Sequence, residues 1–176
     1  VPYIHQLLEA VKIPALGLEG YEADDVIGTL AQQAEAQGFD VYMMTPDKDF
    51  GQLVTEKIKM FKPGRSGNPH EVIGIKEVCD KWQIQRVEQV VDILGMMGDA
   101  SDNIPGLPGV GAKTAAKLLA QFDSLEGTIA HADEIKGKLG ERIREHKAQG
   151  IMSKELARII TDVPVTLDVD GLLRKA

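Results

Sequence analysis

The chain has 176 residues, 43% of them hydrophobic and 27% charged, the make-up of an ordinary globular domain with its own core. Twenty-seven acidic residues against twenty basic ones leave a net charge of −7, so this is not a general polyanion-coating protein, and any grip on nucleic acid must come from a local basic face. Cys79 is the sole cysteine, which excludes an intramolecular disulfide framework and a cysteine-rich zinc site and fits a reducing cytosol.

No apolar run approaches the ~18 residues of a membrane span, and no secretory signal pattern is present. The chain opens on Val1 rather than Met, as expected of a fragment or a processed chain. Tyr3–Ile13 carries apolar residues at helical spacing. After the break "GLEG", the stretch "YEADDVIGTLAQQAEAQG" predicts a helix with acids in its first turn and Gly38 as its stop. Phe39–Thr45 predicts a strand, followed by "DKDFGQLV" and a second short strand, "IKMF", so the first half is α/β. Lys62–Pro69 is a turn or hairpin tip rich in glycine and proline. From Ile75 onward the periodicity is helical, in "IKEVCDKWQI", "VEQVVDILGMMG", "AKTAAKLLAQF", "SLEGTIAHA", "LGERIREHKA" and "SKELARII", with "VPVTLDV" read as a late strand. The expected organisation is an α/β part over 1–74 and a helical part over 75–176.

Seven carboxylates lie at converging spacings. Glu22 and Asp25 share a helix face with Asp24 beside them; Asp47 and Asp49 flank one residue past a strand; Asp99 and Asp102 close a helix. Each group alone is satisfied by a cap, a dipole partner or a turn. Together they repel unless cations hold them, and an all-oxygen donor set suits Mg²⁺ or Mn²⁺ rather than Zn²⁺. The four histidines (His5, His70, His131 and His146) share no ligand spacing and read as surface or packing residues. Paired hard cations on carboxylates point to phosphoryl chemistry.

The stretch "LPGVGAKTAAKLL" follows directly. Gly109 and Gly111 permit positive φ and close backbone approach, and the helix starting near Ala112 offers its amides to an anion, with Lys113 and Lys117 on one face. A Walker loop is excluded because Ala112, not lysine, follows Gly111. A Rossmann loop is excluded because a helix, not a strand, precedes the turn. The segment Gly106–Leu119 resembles the helix–hairpin–helix class, which grips DNA backbone without reading bases. Ile135–Lys147, with five basic residues against two glutamates, extends the basic face or forms a solvated helix surface.

With these residues placed, the chain resembles the 5′-nuclease (flap endonuclease) family and, within it, the 5′→3′ exonuclease domains of bacterial DNA polymerase I. The matching stretches are "GYEADDVIGTLA", "TPDKDFGQLV", "LGMMGDASDNIPGLPGVGAKTAAKLL" and "SKELARIITDVPV", in family order and over nearly the whole chain. The resemblance implies a PIN-like α/β core with a helix–three-turn–helix DNA-binding element. It implies catalytic Asp24, Asp25, Asp47, Asp49, Asp99 and Asp102, with Glu22, Asp24 and Asp25 serving one Mg²⁺ or Mn²⁺ and Asp47, Asp49, Asp99 and Asp102 the other. It implies DNA binding through Gly109, Val110, Gly111, Lys113, Thr114 and Lys117, with K⁺ held by the carbonyls of the glycine turn. The implied partners are duplex, 5′-flap and branched DNA, RNA primer–DNA hybrids and a C-terminal polymerase domain, in the cytoplasm of a bacterium at its nucleoid, away from membranes. The family draws two further aspartates from its front end, whereas residues 1–21 carry only Glu9 and Glu19 as acids, so the chain is expected to lack the front of the domain, to bind DNA and to cut it poorly. A non-catalytic DNA-binding module and a PIN-like RNase are the alternatives, and the glycine turn disfavours the second.

Overall fold

A computed structural model describes residues 2–64 and 69–173. They form two compact units, residues 2–40 with 160–173 and residues 41–159.

The first unit is built on α1 (Pro2–Ala10) and α2 (Ala23–Ala36). Glu22 is the N-cap of α2, with Asp24 and Asp25 in its first turn, where the helix dipole favours acid. Gly38, at φ +94°, ends the helix as the pattern predicts. The stretch read as a late strand, 163–169, is instead an extended segment without a strand partner, leading into a four-residue helical turn, Val169–Leu172. The backbone from Ile160 through this stretch is paired by side chains of α2: Asp25 Oδ1 accepts from Ile160 N–H (2.8 Å), Thr29 Oγ1 from Val163 N–H (3.2 Å) and Gln33 Oε1 from Leu167 N–H (2.7 Å). Gln33 Nε2 also donates to the Val165 carbonyl (2.7 Å). Residues 25, 29 and 33 recur every fourth position, one stripe of a helix, so an alternating sequence finds its hydrogen bonds on a helix rather than on a sheet.

The second unit opens with β1 (Val41–Met43), parallel to β2 (Ile58–Lys62), which pairs antiparallel with β3 (Glu71–Ile73). The expected hairpin tip, Lys62–Pro69, joins β2 to β3, and its residues 65–68 lie outside the described residues. The helices follow: α3 (Ile75–Trp82), α4 (Val90–Met97), α5 (Ala112–Phe122), α6 (Leu125–Ala130), α7 (Gly137–Glu145) and α8 (Lys147–Leu156). The single helix expected over 139–148 is two, because the backbone leaves helical geometry at His146.

α4 is the centre of this unit. It is buried from Val90 to Met96 and packs on α5 and α8. A Cβ on Gly95 would meet Lys154 Cα at 2.7 Å, so the α4 and α8 backbones cross almost in contact. The Lys154 ammonium reaches Asp92 Oδ1 (2.6 Å) and both Glu126 oxygens (2.9 and 2.7 Å), and Asp92 Oδ1 also accepts from Leu125 N–H (2.9 Å). Buried charge at the helix crossing is thus paired and hydrogen-bonded.

Candidate metal centre and nucleic-acid interface

The chain leaving β1 turns at Thr45–Pro46 into a 3₁₀ helix over Lys48–Leu53, capped by Asp47, whose Oδ1 accepts from Asp49 N–H (3.0 Å). Phe50 and Leu53 bury the underside of that turn. Gln52 ties it to the exit of α8, donating to the Ala157 carbonyl (2.9 Å) and accepting from Ile159 N–H (3.0 Å). A short turn held this firmly presents Asp49 in a fixed place.

The partner acids come from the end of α4. Gly98 breaks the helix at φ +72°, and Asp99 and Ile104 then exchange two backbone hydrogen bonds of 2.8 Å each, closing a loop that carries Asp102. Asp99 Oδ1 accepts from Ser101 N–H (2.8 Å), which fixes the carboxylate and leaves Oδ2 facing Asp49 and Lys48.

One carboxylate oxygen from each of Asp49, Asp99 and Asp102 lies within 4.8 Å of the other two. Lys48 Nζ pairs with Asp99 Oδ2 and stands 3.5 Å from Asp49 Oδ1. The hydrogen bond from Lys48 holds the Asp99 carboxyl below its ordinary range, and the same bond holds the Lys48 ammonium above its own. Burial pushes the Asp49 carboxyl up despite Lys48 beside it. Asp49 Oδ1 is buried and accepts no hydrogen bond. A buried carboxylate oxygen with no hydrogen bond, in a residue whose carboxylate gathers with two others, is part of a donor set that fits a hard divalent cation.

Asp47, expected in the same group, gives its Oδ1 to the cap. Glu22, Asp24 and Asp25 belong to the other unit, together in the first turn of α2. There Asp25 is engaged at both oxygens, by Ile160 N–H (2.8 Å) and by Glu22 N–H (3.4 Å).

The glycine turn is held from below. Leu107 N–H donates to the Met96 carbonyl (2.7 Å), Gly106 N–H to Ser153 Oγ (3.0 Å) and Gln149 Nε2 to the Gly106 carbonyl (2.7 Å). Leu107 and Val110 are buried, so Gly109 is lifted outward at φ +78°. Gly111, read as a second left-handed position, is extended (φ −103°) and serves as the N-cap of α5, with open space around it. Lys113 and Lys117 are exposed along α5, and Thr114 is half-buried between them. The guanidinium of Arg142, from α7, lies directly on Gly109: a Cβ there would collide with Nη1 and sit 3.5 Å from Cζ.

Two family models cover the chain, the 5′-3′ exonuclease N-terminal resolvase-like domain over residues 1–83 and the 5′-3′ exonuclease C-terminal SAM fold over residues 85–176. The chain belongs to the 5′-3′ exonuclease family. It is 48% identical to DNA polymerase I of Bacillus subtilis (strain 168) over 173 residues, which is 98% of this chain and 20% of that protein. The chain therefore spans about a fifth of the length of the curated relatives it matches. Among solved structures it resembles T5 5′-exonuclease with bound zinc (TM-score 0.77, 22% identity, covering 89% of this chain and 57% of that one). It also resembles the bacteriophage T5 flap endonuclease in a pseudo-enzyme–product complex with DNA and metal ions (TM-score 0.78, 21% identity, 91% and 58%). The expected 5′-nuclease α/β fold with its helical part is thereby established.

Two residues beside these groups were not singled out in the sequence. Lys48 stands between Asp47 and Asp49, and a cation between two acids at a turn is a readable signal for a counter-ion. Arg142 was merged into a general basic face. Within that segment Arg144 is spent on the Ala132 carbonyl (2.8 Å) and Asp133 (3.4 Å), whereas Arg142 turns to the glycine turn, a contact between distant parts of the chain that no local pattern announces.

Proposed function

We propose that the chain is the metal-holding and DNA-gripping part of a structure-specific 5′ nuclease that hydrolyses phosphodiester bonds at 5′ flaps and 5′ ends during primer removal and repair. Asp49, Asp99 and Asp102, with Asp47 at the turn, hold one Mg²⁺ or Mn²⁺, and Glu22, Asp24 and Asp25 a second. Such cations, when bound, activate water and neutralise charge on the phosphate. The chain's own part is to fix the acids on short, hydrogen-bonded turns and to position the DNA. The amides opening α5, with Lys113, Thr114 and Lys117, hold duplex phosphates without reading bases, and the carbonyls of Gly109, Val110 and Gly111 hold K⁺. Flapped and branched DNA and RNA–DNA hybrids are the substrates, presented beside a polymerase in a bacterial nucleoid. Because Asp25 is engaged at both oxygens, the second cation has a weakened donor set, so this chain by itself binds DNA well and cuts it slowly.

The observation that carries this reading is the gathering of the Asp49, Asp99 and Asp102 carboxylates, with Asp49 Oδ1 buried and without a hydrogen bond. Its test is Mn²⁺ titration by calorimetry and binding of a labelled 5′-flap duplex, with cleavage followed on the chain and on the longer protein where it is a piece of one. Expected are metal-binding heat that Asp99→Asn removes, flap binding, and cleavage that requires the cation. A chain with no Mn²⁺ heat, or with no affinity for the flap, overturns it.

A further inference from the structure

Three carboxylates with oxygens within 4.8 Å of one another repel, and the described residues supply them one compensating charge, Lys48. Its ammonium is paired with Asp99 Oδ2 and lies 3.5 Å from Asp49 Oδ1, which accepts no hydrogen bond. A divalent cation at this cluster draws on the Asp49 and Asp99 carboxylates, at bonds of about 2.0–2.2 Å for Mg²⁺, and Lys48 holds an oxygen of each. An ammonium and a divalent cation do not occupy one such gap together, since a like charge held that close is strongly unfavourable. The Lys48 side chain is one-third exposed, so it has room to leave.

We infer that Lys48 is a tethered counter-ion that holds the carboxylate cluster together without a metal and gives up its place to an incoming divalent cation. The inference rests on the metal reading above and adds a cost to metal binding: the Lys48–Asp99 pair must break before Asp99 Oδ2 and Asp49 Oδ1 both become ligands. Lys48 is thus a positioning residue that sets cation affinity, and the site is preformed rather than splayed by its own repulsion.

The test compares wild type with Lys48→Met, which keeps the aliphatic stem and removes the charge. In chelator the variant should melt below wild type, because the acids lose their counter-ion. In Mn²⁺ titration it should bind tighter by roughly three- to tenfold, the effect of removing one competing charge from a partly exposed site. A purely structural lysine would lower the melting temperature and leave Mn²⁺ affinity unchanged or weaker, and that result overturns the inference. The second measurement needs no variant. In wild type, the ion-paired Lys48 ammonium should give a protected ¹H–¹⁵N signal in chelator and lose it at saturating Mg²⁺; a signal that persists overturns the exchange. Wild type without Mn²⁺ heat would sink the metal reading and this inference together. Wild type that binds Mn²⁺, with a variant that binds it no tighter, would sink this inference alone.

Discussion

Gly98 and Gly106 lie backbone against backbone across the neck of the acidic loop. A Cβ on Gly98 would meet Gly106 N at 2.8 Å and the Ile104 carbonyl oxygen at 2.5 Å, and both glycines have positive φ. The loop carrying Asp99 and Asp102 begins at one of them and the glycine turn begins at the other, so a single backbone contact sets the acids and the proposed DNA grip in register. Gly98→Ala should therefore cost about 2 kcal/mol or more, from left-handed strain and from a clash with backbone that cannot rotate away. Urea denaturation measures the loss. Mn²⁺ affinity and flap binding should fall together, and a variant that loses one while keeping the other would show that the two loops are set independently.

Asp99→Asn removes a charge that pairs with Lys48 and that the proposed cation would use. Mn²⁺ should raise the wild-type melting temperature by mass action, and the variant should lose most of that gain. Thermal melts across a Mn²⁺ series, with Ca²⁺ as a second hard cation, give the comparison. An equal upward shift in both proteins would place the cation elsewhere.

The parts of this site that were legible in the sequence are those set by local chemistry. Acids at element ends, a Gly-Pro turn and the helical periodicity of α4 need no partner to be recognised, and the family motifs add their order. What escaped was decided by distant segments. "VPVTLDV" alternates like a strand, but its backbone meets Thr29 and Gln33 on a helix, more than a hundred residues earlier. Gly111 looks as permissive as Gly109, yet its own backbone is extended, as an N-cap residue's usually is. The engagement of Asp25 with Ile160 N–H has the same origin: first-turn acid is a dipole partner in any sequence, and only the returning tail makes it a hydrogen-bond acceptor for the far end of the chain.

Gly109→Ala tests the other half of the site. The residue must hold φ +78° with a methyl where the Arg142 guanidinium now rests. A loss of about 1–2 kcal/mol from backbone strain is expected, with Arg142 displaced and affinity for a 5′-flap duplex lowered. Lys113→Ala should instead leave stability within about 0.5 kcal/mol and reduce the slope of log affinity against log salt by about one phosphate contact. Fluorescence anisotropy between low and moderate salt reads both effects. Wild-type affinity and slope in both variants would remove the glycine turn from the DNA interface.

The Lys154 cluster at the α4–α8 crossing predicts how stability depends on pH. Burial pushes the Glu126 carboxyl up, but the Lys154 ammonium outweighs it and leaves the group below its ordinary 4.5. A lowered carboxyl contributes stability that is complete above that ordinary value and is lost as pH falls through the folded one. For Lys154 the balance runs the other way: burial lowers its pKa, and the hydrogen bonds to Asp92 and Glu126 raise it above 10.5. That contribution is complete below 10.5 and is lost only as pH rises through the higher folded value. Both are present at neutral pH. Glu126 is half exposed, so Glu126→Gln should cost under about 1 kcal/mol at pH 7, and the difference from wild type should vanish in acid. Lys154→Met should be far more severe, about 3–5 kcal/mol at neutral pH, because it leaves Asp92 buried without its cation. Urea midpoints from about pH 3 to pH 8 for the three proteins check the signs. A Glu126→Gln deficit that persists unchanged in acid would mean the carboxylate's charge contributes nothing, and that the loss comes from the Gln amide facing Lys154.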